Sequence, residues 1–213
     1  MQVFMTRCIA KETGLSIPFG SSDIKALLSY YQGEIARIQA SAKGSFVGQP
    51  CKNSGAECKG LNAGTFHLAL VQEIGRSGYG VVVDLSRGEQ IWNYPVFGFE
   101  MKKIQERPAQ IPTATNVKEI LLETTIYYTA EIAPQWALFG DAGQSVRSAT
   151  FRYALEFNSR NEVTGGTWLD DQFLPSPEGD HPDFLWTKGR PIFLDNWKPL
   201  EQIYESATAG RSL

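Results

Sequence analysis

Residues 63–71 read Ala63-Gly-Thr-Phe-His67-Leu-Ala-Leu-Val71, and residues 80–85 read Gly80-Val-Val-Val-Asp84-Leu85. How these two apolar runs fold decides the architecture. With Gly75-Arg-Ser-Gly-Tyr79 between them, the runs 66–74 and 80–85 read as neighbouring antiparallel strands. A short helix is the alternative for the first, because Leu, Ala and Gln favour that state. In the strand reading His67, Ala69 and Val71 share one face. Asp84 closes a β-branched run whose valines suit burial on both sides, and a carboxylate in that position is either paired or costly. Pairing of the strands would set imidazole and carboxylate side by side, the arrangement in which a carboxylate fixes the tautomer of a catalytic base. An obvious nucleophile does not accompany them.

Working outward, residues 23–42 predict a helix. Ile24, Leu27, Leu28, Tyr31, Ile35 and Ile38 form one stripe at three- and four-residue steps, with Ser21 or Ser22 as cap and Asp23 in the first turn. Residues 43–64, rich in glycine and polar residues, read as a long loop. Pro108 and Pro112 mark an extended linker over 107–115. Beyond it, 119–133, 146–158 and 162–169 alternate Thr, Tyr, Phe, Val and Trp, with a turn at Asn158-Ser-Arg-Asn161. These predict an antiparallel meander, for which Trp168, Phe184 and Trp186 supply core. A closing helix is expected around 199–208. The expectation is a single α+β domain over 1–213, a helix packed on an antiparallel sheet, with one half over 20–105 and the meander and closing helix over 116–205.

Composition sets bounds. Net charge is −3, which gives no electrostatic footprint for nucleic acid or acidic membranes. No apolar run approaches the roughly 18 residues of a bilayer span, and Met1-Gln-Val-Phe-Met lacks the apolar core of a signal peptide. The three cysteines leave at least one unpaired. Cys51 and Cys58 suit either a small disulfide in an oxidising compartment or two free thiols. A metal site of Cys51, Cys58 and His67 lacks both a CxxC pair and a fourth ligand. Asp170, Asp171, Asp180 and Asp183 surround His181 without EF-hand spacing, so a solvated acidic loop is expected rather than a calcium site.

Four motifs in order carry a resemblance. They are Asp23-Ile-Lys-Ala-Leu-Leu-Ser-Tyr-Tyr31, Thr65-Phe-His67-Leu-Ala-Leu70 with Val83-Asp84, Ile91-Trp92-Asn93-Tyr-Pro95-Val-Phe-Gly98-Phe99, and His181-Pro182-Asp183-Phe184-Leu185-Trp186. Tyr153-Ala-Leu-Glu-Phe157 and Gly165-Gly166-Thr-Trp168 agree with them. From about residue 20 to about residue 205 the chain resembles the transglutaminase elicitor family. That resemblance implies a papain- or transglutaminase-like core and a cysteine-dependent aminoacyltransferase acting on glutamine and lysine side chains of proteins. His67 would be the base, Asp84 its orienting carboxylate, and Trp92 and Asn93 part of the substrate groove or of an exposed elicitor segment. It also implies an extracellular or cell-envelope location, and no cofactor beyond an unsupported calcium.

The departure from the family lies at the nucleophile. The Cys-His-Gly-Trp-like segment expected upstream of the Asp23 helix is absent. Cys8 precedes that helix, but Ile9 and Ala10 follow it. The expectation is that this chain is the later part of a longer enzyme, with little transamidase activity of its own. Alternatives are a binding or elicitor module without catalysis, or a cysteine peptidase or deamidase of related fold.

Overall fold

A computed structural model describes residues 6–9, 14, 16–19, 21–35, 44–51, 60–87, 91–130, 146–176, 179–187 and 192–208. The chain divides into two compact units, one of residues 45–130 and 146–187, the other of residues 1–44, 131–145 and 188–213.

The second of these contains a two-stranded antiparallel ladder, β1 (Thr6–Ile9) with β2 (Ser16–Phe19). Helix α1 (Ser21–Tyr30) continues as a π-helical turn over Tyr31–Ile35. The predicted apolar stripe is real. Buried Tyr31 meets Leu200 of α3 (Lys198–Thr208), with Leu27, Leu28, Ile35, Phe193 and Trp197 around them. Tyr31 stacks on Phe193 at 4.7 Å and donates its hydroxyl proton to the Ile192 carbonyl at 2.9 Å. Residues 36–42 of the predicted helix lie outside the described residues.

The larger unit is a seven-stranded antiparallel sheet in the order β3-β9-β4-β5-β6-β7-β8. Its strands are β3 (Phe46–Gly48), β4 (Val81–Asp84), β5 (Asn93–Pro108), β6 (Lys118–Thr129), β7 (Val146–Phe157), β8 (Val163–Leu169) and β9 (Phe184–Thr187). The predicted meander is β6 to β8. Asn158 makes its turn by accepting the amides of Arg160 and Glu162, and Asn161 takes the left-handed conformation at φ 63°. Together with the helices this is the expected α+β class.

Two readings are corrected. The run at 66–74 is helical: α2 (Ala63–Ala69) passes into a π-helical stretch over Leu70–Arg76. Asn62 caps it, its side-chain oxygen accepting the Gly64 and Thr65 amides at 2.9 and 3.3 Å, which satisfies orphan donors of the first turn. Phe66 and Leu70, a helical step apart and both inaccessible, then face the sheet. The second correction concerns 107–115. Strand β5 runs through Arg107 and Pro108, and the break comes only at 109–117.

The core lies between α2 and one face of the sheet. Phe66 packs tilted or edge-on against Phe151, Tyr153 and Trp168 at 5.9, 6.1 and 5.3 Å. Val81, Val83, Val96, Ile126 and Leu185 complete it. Small residues let the helix come close: a Cβ on Gly64 would stand 2.5 Å from the Gly165 carbonyl oxygen, and one on Gly166 2.6 Å from the Gly64 nitrogen. Asn62 ties the same junction by donating its side-chain amide to the Gly166 carbonyl at 3.0 Å.

Candidate active site

His67 sits in the second turn of α2, a half-buried residue over the sheet. Its Nδ1 lies 3.1 Å from the Tyr153 hydroxyl on β7, and that hydroxyl lies 2.8 Å from Thr124 Oγ1 on β6. Tyr153 and Thr124 are inaccessible to water. Burial lowers the His67 pKa from its ordinary 6.5, so the imidazole is neutral at physiological pH. The same burial raises the Tyr153 phenol, only partly offset by the Thr124 bond, so the phenol keeps its proton.

Asp84 ends β4, directly opposite Asn93 of β5 and Phe184 of β9. Its residue exposure is 0%, and neither carboxylate oxygen receives a hydrogen bond of ordinary geometry. Burial pushes its pKa up to about 6; the nearby Trp92 and Ser86 amides oppose that, and the Asp183 charge adds to it. Asp183 is equally inaccessible and accepts the Cys51 amide through Oδ2 at 2.7 Å, while its Oδ1 has no hydrogen bond. Burial raises its pKa as well, and the Cys51 amide and the Arg87 and His181 charges restrain the rise.

The expected contact between His67 and Asp84 is therefore not what the structure contains. The imidazole meets a tyrosine hydroxyl, and the carboxylate lies beside a second carboxylate. The physical reason is the helical state of 63–76, which removes the strand pairing that would have aligned the two. Asp84 is instead brought together with the Trp92–Asn93 segment. Trp92 is 44% exposed at the entry to β5, flanked by exposed Ile91, Asn93 and Pro95.

Cys51 is disulfide-bonded, which removes it as a free thiol or a metal ligand. Cys58 lies outside the described residues. Cys8 is on β1, in the other unit. Among the described residues no group of three or more His, Cys, Asp and Glu side chains is placed to hold a metal ion. No described helix is long and apolar enough to cross a membrane.

Three carboxylates of the acidic loop, Asp170, Asp171 and Asp180, are exposed as expected, and each also has a partner. Asp170 caps the Gln172 and Leu174 amides, Asp171 pairs with Arg152, Asp180 accepts the Arg87 amide, and Asp183 is buried. His181 is structural: its ring stacks on Trp168 at 4.9 Å, and its Nδ1 donates to the Pro182 carbonyl at 3.0 Å. Trp168 in turn donates Nε1–H to the Leu61 carbonyl at 2.6 Å, pinning the loop that leads into α2. Tyr153, Thr124 and Asp183 had no sequence signal as site residues beyond membership of an apolar strand or a shared motif.

The transglutaminase elicitor family matches residues 6–194 of this chain. The chain belongs to that family. No curated protein matches it. Among solved structures, the GP42 transglutaminase from Phytophthora sojae is similar, with a TM-score of 0.64 at 23% identity. The match covers 97% of this chain and 60% of that one, so the chain spans about three-fifths of the length of that protein. The likeness shows a transglutaminase-like fold for this member of the elicitor family.

Proposed function

We propose that the chain serves protein-glutamine acyl transfer of the transglutaminase type, with His67 as its acid–base group. The observation that carries this is the setting of His67: neutral, presented near the start of a capped helix, and held through one ring nitrogen by a buried hydroxyl so that the other remains available. In the proposed reaction the imidazole takes the proton of a thiol, and the thiolate attacks the glutamine carboxamide. The imidazolium returns the proton to the departing ammonia. A lysine amine, or water in the deamidating variant, then displaces the thioester and restores the thiol. Of the two cysteines among the described residues, Cys51 is in a disulfide and so is not that thiol. Cys8 is its candidate within this chain. The disulfide also favours an oxidising compartment, in keeping with an extracellular or cell-envelope protein.

The test is amine incorporation into a glutamine-bearing protein by the full natural polypeptide. H67A should lower turnover by at least about 100-fold, the ordinary share of a positioned general base. Turnover indifferent to H67A would refute the assignment, and loss of turnover in C8A would place the thiol.

A second reading rests on a different observation, the half-exposed indole of Trp92 with Ile91 and Phe97 exposed along the same segment. Aromatic side chains so displayed are common anchors of protein recognition. In this reading the segment is an elicitor surface, and W92A would abolish recognition while leaving amine incorporation in place.

A further inference from the structure

We propose that the cavity at the end of β8, with the edge of β7 beside it, binds an extended segment of a protein substrate through a basic side chain. Its place as a substrate subsite rests on the acyl-transfer reading; the binding itself does not.

The sheet leaves an edge open there. β6 pairs with β7 along its whole length, from Val146 to Phe157. β8 pairs with it only from Arg152 to Phe157. Beyond Leu169 the chain turns away: Asp170 accepts the Gln172 and Leu174 amides, Phe173 takes a left-handed φ of 60°, and Pro175 bridges back to Leu169. Leu169 meets Arg152 on one side and Pro175 on the other, so the loop returns along the far side of β8. Among the described residues no strand therefore pairs with Ser148–Phe151 on the β8 side. Ser148 and Thr150 are exposed, and Ala149 is half-buried. Such an edge is a template for an added strand, in which main-chain bonds give affinity and a side-chain pocket gives specificity.

That pocket adjoins the edge. A cavity of about 270 Å³ is lined by Thr150 and Phe151, by Trp168, and by Asp170, Asp171 and Asp180 of the loop. Its size suits one side chain rather than a larger molecule. The buried rings of Phe151 and Trp168 offer an apolar wall to the methylene stem of a long side chain. The three aspartates are exposed. Of the basic residues in the wall, Arg152 is engaged by Glu123 at 2.9 Å and by Asp171, and His181 stacks on Trp168. Three carboxylates against one guanidinium repel an anionic segment and attract an ammonium or guanidinium head. Phe151 and Trp168 also lie 5.9 and 5.3 Å from Phe66, the residue before His67. The cavity thus shares its inner wall with the helix that carries the imidazole.

Binding of acetylated, amidated peptides to the intact chain tests this, followed in proton–nitrogen NMR spectra. A peptide of alternating threonine and valine with a central lysine should give saturable shifts at the Trp168 indole and the Ser148–Phe151 amides. Glutamate in place of the lysine should weaken binding at least about 10-fold. D170N/D180N keeps an acceptor oxygen for each loop amide and removes two charges. It should weaken the lysine peptide about 3- to 20-fold, the worth of two exposed ion pairs. In amine incorporation it should raise KM for a substrate with flanking lysines and leave kcat in place. Equal binding of the two peptides, shifts elsewhere, or an indifferent D170N/D180N would each overturn the proposal. So would dimerisation through Ser148–Phe151, which makes a second copy the occupant. The two wild-type titrations decide even where D170N/D180N does not fold. Peptide binding as expected with full turnover in H67A leaves the cavity's ligand standing and removes the acyl-transfer reading. Lost turnover in H67A without peptide binding does the reverse.

Discussion

Asp84→Asn should stabilise the fold at neutral and alkaline pH and change it little in acid. The folded carboxyl titrates near 6 against an ordinary 3.8, so the native chain holds this proton more tightly than the unfolded chain does. Stability from this group is complete below about pH 3.8 and is lost as pH rises through about 6. The gap between the two values corresponds to about 3 kcal/mol. Asp84 is wholly inaccessible, so solvent screening takes little from that figure. The Asp183 charge contributes to that rise, and an amide at position 84 removes the repulsion. Urea unfolding from about pH 4 to about pH 8 reads the effect. The advantage of D84N over wild type should grow by about 2.5 kcal/mol across that range. An advantage independent of pH, or a variant less stable than wild type at about pH 8, would refute the reasoning.

Other perturbations test the packing. G64A places a methyl 2.5 Å from the Gly165 carbonyl, where only backbone could yield, and should cost at least about 1–3 kcal/mol by thermal or urea unfolding. W168F removes the donor to the Leu61 carbonyl and should cost about 1–3 kcal/mol, with His181 resonances shifting as its stacking partner shrinks. Glu119 is 7% exposed and accepts from Arg107, Gln110 and Asn116. E119A should destabilise by about 1–3 kcal/mol, because the part-buried Arg107 guanidinium and two amides lose their acceptor; a value under about 0.5 kcal/mol would mean that water replaces it.

What the sequence made legible was whatever repeats along the chain. The stripe from Ile24 to Ile35 and the alternation of β6, β7 and β8 read correctly, since a periodic face is a local record of what is buried. Strand β5 was hidden for the opposite reason. Its Met101-Lys-Lys-Ile-Gln-Glu-Arg107 stretch is exposed or half-exposed throughout, so no apolar face marks it, and pairing with β6 alone holds it in the sheet. The run after Ala63 misled because its residues are apolar at nearly every position, with exposed Leu68 beside buried Phe66 and Leu70. The cap decided it: Asn62 ahead of small residues is a helix start, though Gly64 argues against helix by propensity and is present because β8 leaves no room for a Cβ.

The site divides along the same line. Asp84 could be singled out from sequence because a carboxylate ending a valine run is costly wherever it lands, and its raised pKa is that cost made measurable. Its partner could not be read. Tyr153 lies 86 residues beyond His67 and looks like any strand aromatic, so only the folded sheet assigns it to the imidazole. A buried carboxylate pair with unsatisfied oxygens weakens the fold at neutral pH, and strained groups of that kind persist mainly where chemistry or recognition uses them. Its neighbour is the exposed Trp92 segment, not the imidazole. The expense at Asp84 therefore bears on how that segment is held, while His67 meets the Tyr153 hydroxyl of β7, itself bonded to Thr124 of β6.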